Sequence, residues 1–305
     1  MSDNKKLAIC IGIFIMLVLL YIPSIDDRFI FYLRSSKILV AALVGIAISV
    51  SSFSFQTITN NNIITPSIIG FDSLFLLIQT VLIFISSRLL EGIPLLLVST
   101  CGMLLLSGLL FKYVFLKYNL FKALLFGTIL SILFRSICSV LHTIMDPNAF
   151  DTIQSVMFTN FNSIDSTIVP ISIMGIFIAL YKIYSLHKEL DILSLGKDLS
   201  NTYIDRNKII MNIILYISIL VSISTSLVGP VVFIGLFVSN LTRILFHTYR
   251  HEFLLLASIF IGSNIILGGI YLNDTVFTNT NLPVVIDGLG ALYFIYLCIK
   301  RSPSL

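Results

Sequence analysis

Apolar runs of about the length a helix needs to cross a membrane recur along the whole chain, separated by short polar segments. A helix rises 1.5 Å per residue, so about 20 apolar residues cover the hydrocarbon core. The pattern predicts ten spans. They are Leu7 to Ile22, Ile38 to Thr57, Ile68 to Ser86, Ile93 to Phe111, Leu120 to His142, Ile168 to Tyr184, Ile209 to Leu227, Val231 to Phe246, Phe253 to Leu272 and Leu282 to Ile299. Lys5 and Lys6 before the first run resemble the start of a secretory signal, but no small-residue cleavage site follows, so the run is read as a span.

Composition agrees with the periodicity. Of 305 residues, 57% are hydrophobic and 11% charged, against about 45–50% and 25% in soluble domains. The chain is therefore expected to be an all-α integral membrane protein, one domain over residues 1–305. Cys10, Cys101, Cys138 and Cys298 lie far apart within apolar segments, without metal or redox spacing. The net charge of +4 matters through its distribution. With the N-terminus cytoplasmic, 14 of the 19 Lys and Arg fall at inside ends and loops, which orients the bundle by the positive-inside rule. No basic cluster suited to nucleic acid is present.

Two connections are long. The external one, Thr143 to Thr167, carries Asp146, Asp151 and Asp165 and no basic residue. The internal one, Ser185 to Lys208, contains Leu190, Ile192, Leu193 and Leu195 before Gly196, a pattern that predicts a short interfacial helix and a docking surface. Pro66 with Gly70, and Gly229-Pro230 with Gly235, predict interrupted helices at similar places in the two halves of the chain.

Candidate chemistry is sparse. The four histidines are scattered and no phosphate-binding Gly-rich loop is present, because Gly196-Lys197-Asp198 lacks the upstream Gly and the Ser/Thr. No cofactor is implied, and any ATP is bound by another subunit. His247 and His251 have the i, i+4 spacing of a metal pair, but without a completing shell they read as an interfacial charged turn, so no metal site is assigned. In the second span Ser49, Ser52, Gln56 and Asn60 share one helical face, which either lines an aqueous path or lets helices pack closely. The fifth span repeats the pattern with Ser131, Arg135, Ser139 and His142. An intramembrane arginine marks a functional candidate unless it snorkels or pairs, and Asp287 is the other clearly intramembrane charge.

Several stretches together resemble the FecCD-type permeases, which include the vitamin B12 and iron–siderophore importers. They are Arg34-Ser-Ser-Lys37 with Gly45, the run from Phe55 and Gln56 through Asn61, Pro66 and Gly70 to Asp72, the loop Leu190 to Gly196, and Gly229 through Gly235 and Asn240 to Arg243 with Tyr249 to His251. The Phe55 to Asp72 wording is most similar to the branch that serves catecholate and anguibactin-like siderophores.

The resemblance implies a vitamin B12 importer permease-like bundle of about ten helices in the bacterial cytoplasmic membrane, among membrane lipids. It implies an ABC importer subunit that passes a ferric siderophore inward. Its partners would be ATPase subunits, a periplasmic or lipid-anchored substrate-binding protein, and a second permease subunit, identical or paralogous. On that resemblance Leu190 to Asp205, with Leu190, Leu193, Leu195 and Gly196, form the coupling helices in the ATPase cleft, Asn61 and Ile63 sit at the cytoplasmic gate, and Arg34 and Lys37 receive acids of the binding protein. Three departures stand out: Asn273-Asp274 where many relatives carry Arg, Tyr203-Ile204 where Leu-Gly is usual, and Pro283 about two residues late. A secondary transporter or channel would need carboxylates within the spans, and an intramembrane enzyme would need paired catalytic residues.

Overall fold

The computed structural model describes residues 3–22, 28–86, 91–110, 112–113, 120–157, 159–161, 165–275 and 288. Among them the architecture is helical, with no strand. This is what lipid demands, since backbone polar groups in hydrocarbon must be satisfied within the segment. The chain begins with α1 (Asp3–Tyr21) and α2 (Arg28–Thr59). A 3₁₀ turn (Pro66–Ile69) then leads into α3 (Phe71–Ser86), α4 (Gly92–Leu110) and α5 (Leu120–Ile144). The external connection forms α6 (Pro147–Met157), followed by α7 (Val169–Ser185). Two short helices, α8 (His187–Ser194) and α9 (Lys197–Tyr203), precede α10 (Arg206–Val228), α11 (Ile234–Leu245) and α12 (His251–Thr275).

Six of these helices are long and apolar enough to cross a membrane, and α7 with α8, bent by 56°, would make a seventh. α3 and α11 are apolar but shorter because the breaks at Pro66 and Gly229-Pro230 cut into them. Gly70 has φ +112° and Gly229 φ +88°, left-handed conformations that a side chain would strain. The two breaks meet: Ser67 Oγ lies 3.4 Å from the Val231 carbonyl, and Asn240 Nδ2 donates to the Asn62 carbonyl at 2.9 Å. The expected last span, including Asp287 and Pro283, lies outside the described residues, as does Cys298.

α2 is the central helix, packed against α7, α8, α10, α11 and α12. Close approach depends on missing side chains. A Cβ on Gly45 would come within 2.7 Å of the Ser263 Cα, one on Gly262 would strike Ser49, and one on Gly235 would strike Ser52. α4 and α10 are joined by hydroxyls, with Ser99 bonded to Ser226 at 2.7 Å and Thr100 to Ser222 at 2.7 Å. Small residues and interhelical hydroxyl bonds take over here because lipid supplies no hydrophobic drive to bring helices together. α1 lies on the rim against α12, where Asn264 Nδ2 donates to the Cys10 carbonyl at 2.8 Å.

Candidate functional site

The residues singled out in the sequence fall into three places. At the end assigned to the cytoplasm, the internal connection forms α8 and α9, two helices where the apolar pattern predicted one, and the unusual Tyr203 closes the second. The expected apolar ridge is divided. Leu190 and Leu193 are buried in the helical core rather than on the outward surface, because α8 packs its apolar side onto α2 and α12. Leu195 is exposed, and Leu199 and Tyr203 on α9 are exposed as well. Gly196, at φ +103°, makes the turn between the two helices. The apolar surface that faces outward is therefore Leu195, Leu199 and Tyr203.

Asn61 and Ile63 lie nearby in the segment between α2 and the 3₁₀ turn, both half-buried. Asn61 Oδ1 accepts from the Ile63 amide at 3.0 Å, and its own amide donates to the Gln56 carbonyl at 3.1 Å. Gln56 is buried with neither side-chain amide atom bonded to a described residue. Ser49 and Ser52 stand at the glycine crossings with α12 and α11 and are fully enclosed. Their surroundings are those of close helix packing, one of the two possibilities for that face.

His251 departs from the sequence reading. It is the first residue of α12 and 2% exposed, not part of an exposed turn. Its Nδ1 lies 2.7 Å from Asp191 Oδ1 and its Nε2 3.0 Å from Thr57 Oγ1, so both ring nitrogens are committed to protein partners. His247 is exposed, whereas His251 is enclosed. Nothing in the spacing pointed to Asp191, which the sequence buried in an apolar loop motif.

At the opposite end, Tyr21 donates its hydroxyl to Asp274 Oδ2 at 2.6 Å, and Lys37 Nζ pairs with the same oxygen at 3.4 Å. Arg34 lies over the Tyr21 ring, 5.4 Å from its centre, and donates to the Tyr21 carbonyl at 3.4 Å. Asp274, noted in the sequence as a departure, thus takes up part of the charge of Lys37 within the chain.

The third place is a cavity of about 490 Å³ between α3, α5, α6 and the segment after α10. Arg135, Ser139 and His142 of α5 line it with Asp72 and Thr80 of α3. Arg135 Nε donates to Ser73 Oγ at 3.1 Å, and Ser73 Oγ is 2.7 Å from Ser131 Oγ. His142 Nε2 lies 3.3 Å from Thr80 Oγ1. Arg135 and Ser139 are exposed, so three members of the predicted α5 face open into one recess while Ser131 supports Arg135 from behind. Asp72, also in the wall, is a charged side chain that its sequence position does not mark as intramembrane, because it follows the Pro66–Gly70 break at the very start of a run. The pairing of Arg135 with Asp287 lies outside the described residues. The arrangement offers a solute one guanidinium, hydroxyls and an imidazole, with the Asp72 carboxyl on the same wall, in a cleft otherwise lined by apolar side chains.

Residues 7–300 match the FecCD transport family. The chain belongs to this family. Among curated proteins it is 36% identical over 314 aligned positions, covering all of both chains, to the petrobactin import system permease protein YclO of Bacillus subtilis. It is 31% identical over 290 positions, 92% of this chain and 82% of the relative, to the petrobactin import system permease protein FatC of Bacillus anthracis. Among solved structures, one described as an inward-facing conformation of a putative metal-chelate type ABC transporter superposes with a TM-score of 0.88. It covers 98% of this chain and 100% of its own at 21% identity, a level that speaks for the fold alone. FecCD proteins are transport permeases, and the long apolar helices of this one make it an integral membrane protein.

Proposed function

We propose that this chain is the membrane-spanning subunit of an ABC importer in the cytoplasmic membrane of a bacterium, and that its cargo is a ferric siderophore. The observation that carries the reading is the FecCD match over residues 7–300, to which the full-length similarity to a petrobactin permease gives the cargo class. The family reading implies a bundle of about ten spans acting as one domain. ATP is hydrolysed by separate ATPase subunits that dock on Leu195, Leu199 and Tyr203, the apolar residues α8 and α9 leave exposed. A second permease subunit faces this one, and a binding protein delivers cargo at the Arg34, Lys37 and Asp274 end.

The Arg135 recess lies on the cargo's route. The Arg135 guanidinium among hydroxyls and apolar walls attracts an anionic chelate, and the Asp72 carboxyl in the same wall tempers that attraction so that release does not stall. Gln56, Asn61 and Ile63 belong to the cytoplasmic closure.

The test is uptake of radiolabelled ferric petrobactin by cells that lack the chain and cells that carry it back on a plasmid. Uptake should vanish and return. Undiminished import in the deletion strain, with no other ferric chelate affected, would refute the assignment. For docking, Leu195→Asp combined with Leu199→Asp should abolish ATPase co-purification while membrane insertion stays normal. Normal co-purification would place the ATPase contact elsewhere.

A further inference from the structure

His251, at the start of α12, is hydrogen-bonded to both α8 and α2. Asp191 Oδ1, on α8, accepts from both the His251 backbone amide at 2.8 Å and the ring Nδ1 at 2.7 Å. Two donors of one residue on one carboxylate oxygen pin α8 to the start of α12. The carboxylate also fixes the ring proton on Nδ1, because an unprotonated Nδ1 would set a lone pair against a negative oxygen. Nε2 of the neutral ring is then an acceptor, and it faces Thr57 Oγ1 on α2 at 3.0 Å. Arg243 of α11 approaches the same hydroxyl at 3.4 Å and covers the Phe53 ring with its guanidinium, 4.3 Å from the ring centre.

Thr57 has one hydroxyl proton and two acceptors. Its Oγ1 is 3.0 Å from the Phe53 carbonyl within α2 and 3.0 Å from His251 Nε2 outside it. The hydroxyl therefore has two discrete settings, one turned into its own helix and one tied to α12 and, through Asp191, to α8. Its backbone carbonyl accepts from the Asn60 amide at 3.1 Å, where the chain leaves α2 through a left-handed residue, Asn60 at φ 49°, and enters segment 60–63. A two-state element in contact with both a moving segment and a closure is what energetic coupling between sites requires.

We infer that Asp191, His251 and Thr57 are positioning residues that pass movement of the α8–α9 segment to the end of α2 and so to segment 60–63. The inference rests on the reading of α8–α9 as the ATPase-contacting segment, and it assigns the transmission to named hydrogen bonds. Withdrawal of α8 draws Asp191 and His251 away from Thr57, whose proton returns to the Phe53 carbonyl, and the end of α2 is freed from α12.

The experiment uses the whole importer, purified with its partner subunits, placed in lipid vesicles and supplied with its binding protein and ferric petrobactin. Thr57→Val keeps shape, removes the hydroxyl and leaves the α8–α9 surface untouched. The expected result is normal subunit stoichiometry and normal ATP hydrolysis without binding protein, with about tenfold less chelate moved per ATP, the effect of one buried hydrogen bond. Thr57→Ser should restore the ratio. Asp191→Asn should give the same loss, and the double variant no more than either alone, because residues acting as a unit are not additive. A wild-type ratio in Thr57→Val, or losses that multiply in the double variant, overturns the relay. If Asp191→Asn fails to assemble, Thr57→Val with Thr57→Ser decides. A wild-type chain that binds no ATPase overturns the functional reading and the relay together, whereas an active wild type with a silent Thr57→Val overturns the relay alone.

Discussion

α2 and α5 carry nearly the same message in sequence and have opposite surroundings. Each is an apolar helix with polar residues at intervals of three and four, Ser49, Ser52 and Gln56 on one, Ser131, Arg135 and Ser139 on the other. The apolar stretch of α2 is mostly buried, and that of α5 mostly exposed. The difference comes from the partners. Gly262 and Gly235 bring α12 and α11 so close that the α2 serines are enclosed, whereas the α5 face opens on a recess wide enough for Arg135 to stay exposed. Polar spacing thus defines a face, and small residues on other helices decide whether that face is a seam or a wall.

The comparison breaks first at the glycines. Gly262→Leu drives a side chain into Ser49 and the Gly45 carbonyl, backbone that cannot move aside. Overpacking of this kind costs about 3 kcal/mol. Little folded protein should remain in the membrane, by detergent-extracted yield and melting temperature. A well-folded Gly262→Leu variant would show that the α2 seam is looser than its geometry.

Arg135→Gln comes next. It should insert and assemble normally but import an anionic ferric chelate about tenfold more slowly, a barrier change of about 1.4 kcal/mol, and a neutral chelate at nearly the normal rate. Equal slowing of both at normal expression would leave Arg135 a structural residue held by Ser73.

Smaller effects should separate the two faces by kind. Ser49→Ala should lower the melting temperature slightly, by at most about 1 kcal/mol of stability, and leave the transport KM unchanged. Ser139→Ala should do the reverse. Lys37→Glu should have the smallest effect on its own, since an exposed ion pair contributes about 0.2–1 kcal/mol. Pairing with Asp274 implies that Asp274→Lys in the same chain offsets it, visible in the salt dependence of uptake.

Much of the fold was legible because lipid allows few solutions. A run of about 20 apolar residues has to be a helix, and Pro66 and Gly229 announced the breaks that shorten α3 and α11. α6 was not foreseen, being only 11 residues in a connection too polar to span, although Pro147 at its first position is a helix start. The site was legible as a list of residues and not as an arrangement. Arg135 was marked by its charge in an apolar run, but Asp72, His251 and Asp191 depend on contacts between distant segments. Leu190 and Leu193 were expected on an outward ridge and are buried instead, because a short helix's periodicity does not say which side the bundle covers.

The most direct test of the account is thiol labelling from the aqueous phase. In a chain whose four cysteines are replaced, Ser139→Cys and Ser52→Cys are each exposed to a membrane-impermeant maleimide in the assembled transporter. The account predicts that Cys at 139 is labelled, that bound ferric petrobactin slows the labelling, and that Cys at 52 stays unlabelled until the protein is unfolded. Equal labelling at both positions, or labelling at 52 alone, would contradict it.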